Sequence, residues 1–100
     1  MAQHVEVHYE ELEAMRNSFE QQAQEIQNML QKMMGQVDNL KGGAWVGAGG
    51  DAFYNEMHGE ILPAVQRLVN SMHEGAHVVS QIMEKFKNAE EEAKNVWVPY

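Results

Sequence analysis

One stretch decides the fold of this chain: Lys41 to Phe53, which reads Lys-Gly-Gly-Ala-Trp-Val-Gly-Ala-Gly-Gly-Asp-Ala-Phe. It holds five of the eight glycines and one of the two tryptophans, and a long amphipathic pattern runs up to it from each side. Because glycine adopts positive φ readily, the stretch is expected to form a sharp bend between two helices. A large indole is costly to leave in water there, so Trp45 is predicted to be packed against its surroundings.

The composition narrows the classes of function. One hundred residues make a single small domain, and the absence of cysteine excludes disulfides and thiolate chemistry. A formal charge of −8 with only seven Lys and Arg argues against nucleic acid and anionic lipid as partners. Residues 1–8 lack the basic and then apolar composition expected of a secretory leader, and no uninterrupted apolar run is long enough to span a membrane. We therefore expect no direct membrane insertion, and any export to proceed without a secretory signal peptide.

The first helix is predicted over residues 8–41. Its apolar residues step by three and four in a nearly strict heptad pattern from Tyr9 to Leu40, and only Arg16 interrupts the row. The positions between them are mostly Glu, Gln, Asn and Lys. This pattern predicts one amphipathic helix of about 33 residues, about 50 Å long.

The second helix is predicted over residues 51–93, after a bend at 42–50. Asp51 is a plausible N-cap residue, and the apolar pattern resumes at Phe53. Pro63 lies inside the helix and removes the hydrogen bond to the carbonyl of Gly59, so a kink is expected between those two residues. Residues 94–100 form a tail rich in apolar side chains, which either docks on the protein itself or binds another protein.

Two amphipathic helices joined by a bend form an antiparallel helix-turn-helix hairpin, so the fold class is all-α. A hairpin alone cannot cover two wide apolar stripes, and a second hairpin packed against it would complete a four-helix bundle. Methionines along the stripes fit either a compliant interface or ordinary core filling. The side chains predicted to line this dimer and core seam are Leu12, Phe19, Ile26, Leu30, Met33, Val37, Ile61, Val65, Leu68, Met72, Val79 and Ile82.

A literal match to a zinc-protease motif occurs in the second helix. His73-Glu74-Gly75-Ala76-His77 fits the pattern in which two imidazoles one turn apart bind zinc and the Glu is the base. With Gly75 on the seam, however, both histidines are predicted on the outer, solvated side of the helix, without a third ligand. The sequence therefore predicts no catalytic residue, no metal site and no cofactor, and a minimal zinc hydrolase is a minor alternative.

The end of the second helix carries an unusual face. Phe86, Glu90, Ala93 and Trp97 step by four, three and four, which places them along one side of the last turns. Glu90 begins a run of three carboxylates near the helix C-terminus, where negative charge opposes the helix dipole. Helix stability therefore does not explain this run.

Together these features resemble the Trp-Xaa-Gly (WXG) family of hundred-residue ESAT-like proteins, which are substrates of type VII secretion. The resemblance is carried by Trp45-Val46-Gly47 at the middle of a cysteine-free helical hairpin, and by the small residues and aromatic that follow up to Phe53. That family's export signal is an aromatic residue, usually Tyr, four residues before an acid; Phe86 and Glu90 correspond to it, with Ala93 and Trp97 at the next hydrophobic positions.

The resemblance implies a non-enzymatic dimer, with itself or with a paralogous partner, that is exported folded and recognised by a membrane-bound secretion ATPase. Gly47 and Phe86 are separated along one hairpin by roughly 55 Å, so one chain cannot join them. In an antiparallel dimer the bend of one subunit would lie beside the chain ends of the other. The resemblance also implies a secreted protein; the alternative is a cytoplasmic helical adaptor or chaperone for a larger exported toxin.

Overall fold

The chain folds as a hairpin of helices that each follow from its amphipathic pattern. The computed structural model describes residues 7–96, apart from the side chains at positions 44 and 96. Helix α1 spans Tyr9–Asn39, α2 spans Ala48–Glu56 and α3 spans Leu62–Val96. Single π-turns follow α1, at Leu40–Ala44, and precede α3, at Met57–Ile61. The described residues contain no strand, and the predicted all-α helical hairpin is confirmed.

The buried face of α1 repeats every seven residues. Ala23, Leu30 and Val37 are all at most 5% exposed, so the helix turns the same side toward α3 along much of its length. Other residues of the predicted seam lie half-buried at its borders: Leu12, Phe19, Ile26 and Met33. Arg16, which interrupts the apolar row, lies half-buried and forms an ion pair with Glu13 at 3.2 Å.

The buried face of α3 is offset by one residue from much of the predicted seam. Leu62, Val69, Ala76 and Met83, again spaced by seven, pack against α1 with Val79, while Val65 and Met72 lie half-buried. In the single chain, three residues assigned to the seam are instead exposed by about two fifths to one half: Ile61, Leu68 and Ile82. The reason is that α3 carries two neighbouring apolar stripes, and periodicity alone does not tell which one faces α1.

Polar pairs join α1 to α3 along one side of this core. Nδ1 of His73 lies 2.9 Å from Oε2 of Glu20, and Nε2 of Gln66 donates to Oε1 of Gln27 at 3.1 Å. A step of seven residues forward on α1 is matched by a step of seven back on α3, as an antiparallel pair requires. Near the bend, Nε2 of His58 lies 3.4 Å from the carboxylate of Asp38.

The irregularity expected before Pro63 is a π-turn. The backbone N–H of Leu62 donates to the carbonyl of Met57, five residues earlier, and the backbone dihedral angles at both ends of the turn stay helical. Proline has no N–H to donate, and the wider turn directly before it lets the helix continue without that hydrogen bond. The place predicted for the kink thus coincides with a local widening of the helix directly before Pro63.

The helix ends differ from the predicted bounds. The backbone leaves helical geometry at Gly43, inside the first π-turn, and α2 begins at Ala48, so the bend covers residues 43–47 and is shorter than the predicted 42–50. Helix α2 begins at Ala48 with Gly47 at the N-cap position, and the assignment of Asp51 as N-cap is wrong. Helix α3 continues to Val96, through the first three residues of the predicted tail; residues 97–100 lie outside the described part of the chain.

Candidate functional site

The bend is built around a backbone conformation that requires glycine. Gly47 has φ 113° and ψ −176°, a region that side chains with a Cβ atom essentially never enter. Its carbonyl accepts a hydrogen bond from the N–H of Asp51 at 2.9 Å, which closes the first turn of α2. Gly47 therefore turns the chain from the bend into α2, and this is the physical reason for glycine two residues after Trp45.

Trp45 is fixed through its backbone. Its N–H donates to the carbonyl of Leu40 at 2.9 Å, and its own carbonyl accepts a short hydrogen bond from the hydroxyl of Tyr54. Gly50 is buried beneath this contact: a Cβ atom there would lie 3.0 Å from the Trp45 carbonyl oxygen and 3.4 Å from the Tyr54 ring. Gly50 is thus needed for a close approach between helix and bend, a role that the sequence pattern did not single out.

Three aromatic rings form a cluster at the end of the hairpin, the tip cluster of Trp45, Phe53 and Tyr54. The Trp45 ring centroid lies 5.2 Å from that of Phe53 and 6.1 Å from that of Tyr54. Tyr54 is buried, and burial, followed by the nearby Asp51 carboxylate, raises the pKa of its phenol. Trp45 stays 42% exposed and Val46 75% exposed, so the prediction of a packed tryptophan is only partly correct.

The predicted export-signal residues lie at the other end of the hairpin. Phe86 is 40% exposed and lines a shallow apolar cavity of about 270 Å³ with Ile82, Lys85 and Ala89. Glu90 and Ala93 are exposed on the following turns of α3. Trp97, the fourth residue predicted on this face, lies outside the described residues.

The start of α1 contacts this segment of α3. The ammonium nitrogen of Lys87 lies 5.3 Å from the centroid of the Tyr9 ring, within the range of a cation–π interaction. The Tyr9 hydroxyl oxygen is enclosed and has no hydrogen-bond partner of normal geometry. Burial raises the pKa of this phenol, and the adjacent Glu90 carboxylate raises it further. Sequence reasoning missed this contact because it joins residues almost eighty positions apart.

The two ends stay apart within one chain. Trp45 follows the end of α1, whereas Phe86 and Lys87 lie beside its beginning at Tyr9. Helix α1 has 31 residues, so about 46 Å separates the tip cluster from the open end of the hairpin. A single subunit does not bring the Trp-Xaa-Gly bend and the predicted signal together.

One histidine of the zinc-protease motif contacts α1, which the sequence did not predict. His73 and its partner Glu20 are each about half exposed, so His73 takes part in a contact between helices and is not simply solvated. His77 is exposed. Among the residues that the structure describes, no group of three or more His, Asp or Glu side chains is arranged to hold a metal ion.

The described helices also contain no segment that is both long and apolar enough to cross a membrane.

These features define a cysteine-free helical hairpin with a Trp-Xaa-Gly tripeptide in its bend. The backbone conformation of the bend requires the glycine of this tripeptide. The family model described as "WXG100: Proteins of 100 residues with WXG" matches residues 4–91. The chain belongs to this family. Its members are small secreted helical proteins that are not known as enzymes, and membership suggests a small secreted substrate of type VII secretion. No match was found among curated proteins or among solved structures.

Proposed function

We propose that this protein is exported as a folded homodimer by a type VII secretion system, whose ATPase recognises an export surface formed by Phe86, Glu90, Ala93 and Trp97. Family membership supports the class of exported protein. The observation that carries the dimer is a second apolar surface, separate from the core between α1 and α3. We call it the apolar face; its residues are Met15, Phe19 and Met29 of α1 and Leu68, Val78 and Ile82 of α3.

Both helices contribute to the same side of the hairpin. Leu68, Gly75 and Ile82 are spaced by seven residues and lie in one row on α3. Phe19 of α1 packs onto this row at Gly75, where a Cβ atom would lie 3.3 Å from the Phe19 ring. Glu20 and His73 meet on the opposite side of the core. One side of the hairpin is therefore apolar, and the other is joined by polar pairs.

The apolar face is largely exposed in the single hairpin. Met15, Met29 and Leu68 are exposed by 48–54%, and Val78 and Ile82 by about 40%. Contiguous apolar surface of this kind marks an interaction site, and a small domain without disulfides commonly gains stability by oligomerisation. A second copy presents the same face and therefore completes a four-helix bundle.

A head-to-tail arrangement of the two hairpins also explains the exposed tip. In that arrangement the tip of one subunit lies beside the open end of its partner. Trp45 and Val46, which one chain leaves partly uncovered, then adjoin the partner's export surface. Recognition by the ATPase would thereby depend on both folding and dimerisation.

The dimer is tested by molar mass in solution. We expect purified protein at micromolar concentration to have twice the mass of the chain in light scattering. Leu68→Glu combined with Ile82→Glu places charges on the apolar face and should yield monomers. Met34→Glu is the matched control, since Met34 is 40% exposed on the side of the polar pairs. A wild-type protein that stays monomeric until a paralogous chain is added would replace the homodimer with a heterodimer.

The export surface is tested by secretion. Phe86→Ala and Glu90→Ala should each abolish or strongly reduce the protein in the culture medium while leaving its amount in the cells unchanged. Glu91→Ala, which removes a neighbouring exposed acid, should be secreted normally. Wild-type protein that stays in the cytoplasm bound to a larger exported protein would instead support an adaptor or chaperone. Normal secretion of the Phe86 and Glu90 variants would refute the assigned signal.

A further inference from the structure

The first turn of α1 lies against the segment of α3 that carries the export surface. Tyr9 is the first residue of α1, and the Lys87 ammonium group lies over its ring. Lys87 directly follows Phe86 and precedes Glu90 by three residues, so it belongs to the same turn as both. The segment of α3 that holds the proposed signal is therefore in contact with the other helix of the same chain.

Glu90 occupies a position that faces α1. Counting along α3 from the buried residues Val79 and Met83, steps of three and four lead to Phe86 and then to Glu90. Helix periodicity thus places Glu90 in the row that packs against α1, beyond its last buried residue, where the side chain is exposed. Tyr9, at the start of α1, lies beside this end of the row. This register explains why an exposed acid has a phenol from the other helix as its neighbour.

The Tyr9 hydroxyl is an unusual group to find at this place. Its oxygen is enclosed without a hydrogen-bond partner of normal geometry, although buried polar atoms in proteins are nearly always paired. Burial and the neighbouring Glu90 carboxylate raise the pKa of the phenol, which stays protonated and able to donate near neutral pH. A phenylalanine would fill the same space without an unpaired hydroxyl. Packing alone therefore does not account for tyrosine here.

We propose that Tyr9 is a positioning residue of the export surface, whose ring holds Lys87 and whose hydroxyl lies beside Glu90 on the last turns of α3. Phe86 and Glu90 are then presented in the correct register only while the first turn of α1 is docked. The ATPase would thereby recognise a closed hairpin and reject a chain whose open end has separated. This inference rests on the proposed function, because it concerns the same recognition surface.

The test measures binding of the purified dimer to the cytoplasmic part of the secretion ATPase. Tyr9→Ala should weaken binding about tenfold or more, and Tyr9→Phe, which keeps the ring, should weaken it by a smaller factor. Glu10→Ala is the matched control, since Glu10 is an exposed residue of the same turn and should bind as the wild type does. Dimer mass and helix content should be unchanged in all three variants. If Tyr9→Ala fails to fold, Tyr9→Phe and Lys87→Gln decide the question.

Two results separate this inference from the proposed function. Tyr9→Ala that binds within twofold of the wild type, while Phe86→Ala and Glu90→Ala do not bind, would overturn the role of Tyr9 and leave the export surface intact. Normal binding by the Phe86 and Glu90 variants would refute the proposed function itself. The contact is checked separately by NMR of the tyrosine ring carbons: Glu90→Gln should lower the pKa of Tyr9, and Glu91→Gln should not. An unchanged Tyr9 pKa in Glu90→Gln would also overturn the inference.

Discussion

Gly49 and Gly50 are adjacent glycines in the first turn of α2, and alanine should change the stability of the protein in opposite directions at the two positions. At Gly50 a Cβ atom would lie 3.0 Å from the carbonyl oxygen of Trp45, which is itself held by the Tyr54 hydroxyl. At Gly49 the nearest atom outside the helix backbone is Cζ2 of Trp45, at 3.8 Å, an ordinary van der Waals distance. The two substitutions therefore have the same effect on the helix but different effects on packing.

The magnitudes follow from these distances. Alanine in place of glycine inside a helix gains about 0.5–1 kcal/mol. Gly49→Ala should realise most of this gain. Overpacking against backbone that cannot move costs about 1–3 kcal/mol, so Gly50→Ala should lower the free energy of unfolding by about 1–2 kcal/mol net. The two variants should then differ by about 2 kcal/mol, which is about 10 °C in melting temperature for a domain of this size.

The assay is thermal and urea unfolding followed by far-UV circular dichroism. All proteins must be compared at one concentration, because the stability of a dimer depends on it. Fluorescence of Trp45 in a Trp97→Phe background reports separately whether the tip cluster has changed. If Gly50→Ala is as stable as Gly49→Ala, with unchanged Trp45 emission, the account of the bend is wrong.

Further predictions concern the bend, the phenols of Tyr9 and Tyr54, and the polar side of the hairpin. Gly47→Ala should lower the free energy of unfolding by about 1–3 kcal/mol, measured by urea unfolding, because its backbone conformation excludes a Cβ atom; an unchanged value would contradict the assigned φ. Tyr9 and Tyr54 have pKa values raised above 10.0 in the folded protein, so unfolded phenols ionise first as the pH rises. The urea concentration at the unfolding midpoint should therefore stay constant up to about pH 10 and decrease at higher pH. This decrease should be smaller in a Tyr9→Phe, Tyr54→Phe double variant. Glu20→Ala or His73→Ala should cost about 1 kcal/mol or less, since both side chains are half exposed; a loss of several kcal/mol would make this pair a main support of the hairpin.

The heptad pattern of the first helix was sufficient to predict its course, because α1 has one dominant apolar row. Ala23, Leu30 and Val37 belong to the row that the spacing indicates, and they are the residues that α3 covers. The buried face of the second helix was harder to predict. Leu68 and Val69 are adjacent in sequence and both apolar, but they lie on different surfaces of the helix. Periodicity identified an amphipathic helix there but not which stripe faces α1 and which remains on the outside.

Local backbone chemistry and distant contacts were less accessible from the sequence. Asp51 is a residue type that often caps helices, yet Gly47 is the N-cap residue here. Its positive φ lets the helix begin at Ala48, three residues before the predicted start. Gly50 and Tyr54 both lie against the backbone carbonyl of Trp45. The spacing of apolar residues does not predict a contact with a backbone carbonyl. Tyr9 meets Lys87 only because the two helices pair in one register, and that register follows from packing along the whole hairpin.

The most direct test of the account is the orientation of the two subunits, on which the joining of the tip and the export surface depends. The chain has no cysteine, so single cysteines can be placed without interference. Val46→Cys and Ala89→Cys proteins, mixed and treated with a short bifunctional maleimide, should give a cross-link between a Val46→Cys chain and an Ala89→Cys chain. Cross-links confined to pairs of Val46→Cys chains would place the two tips together and contradict the head-to-tail dimer.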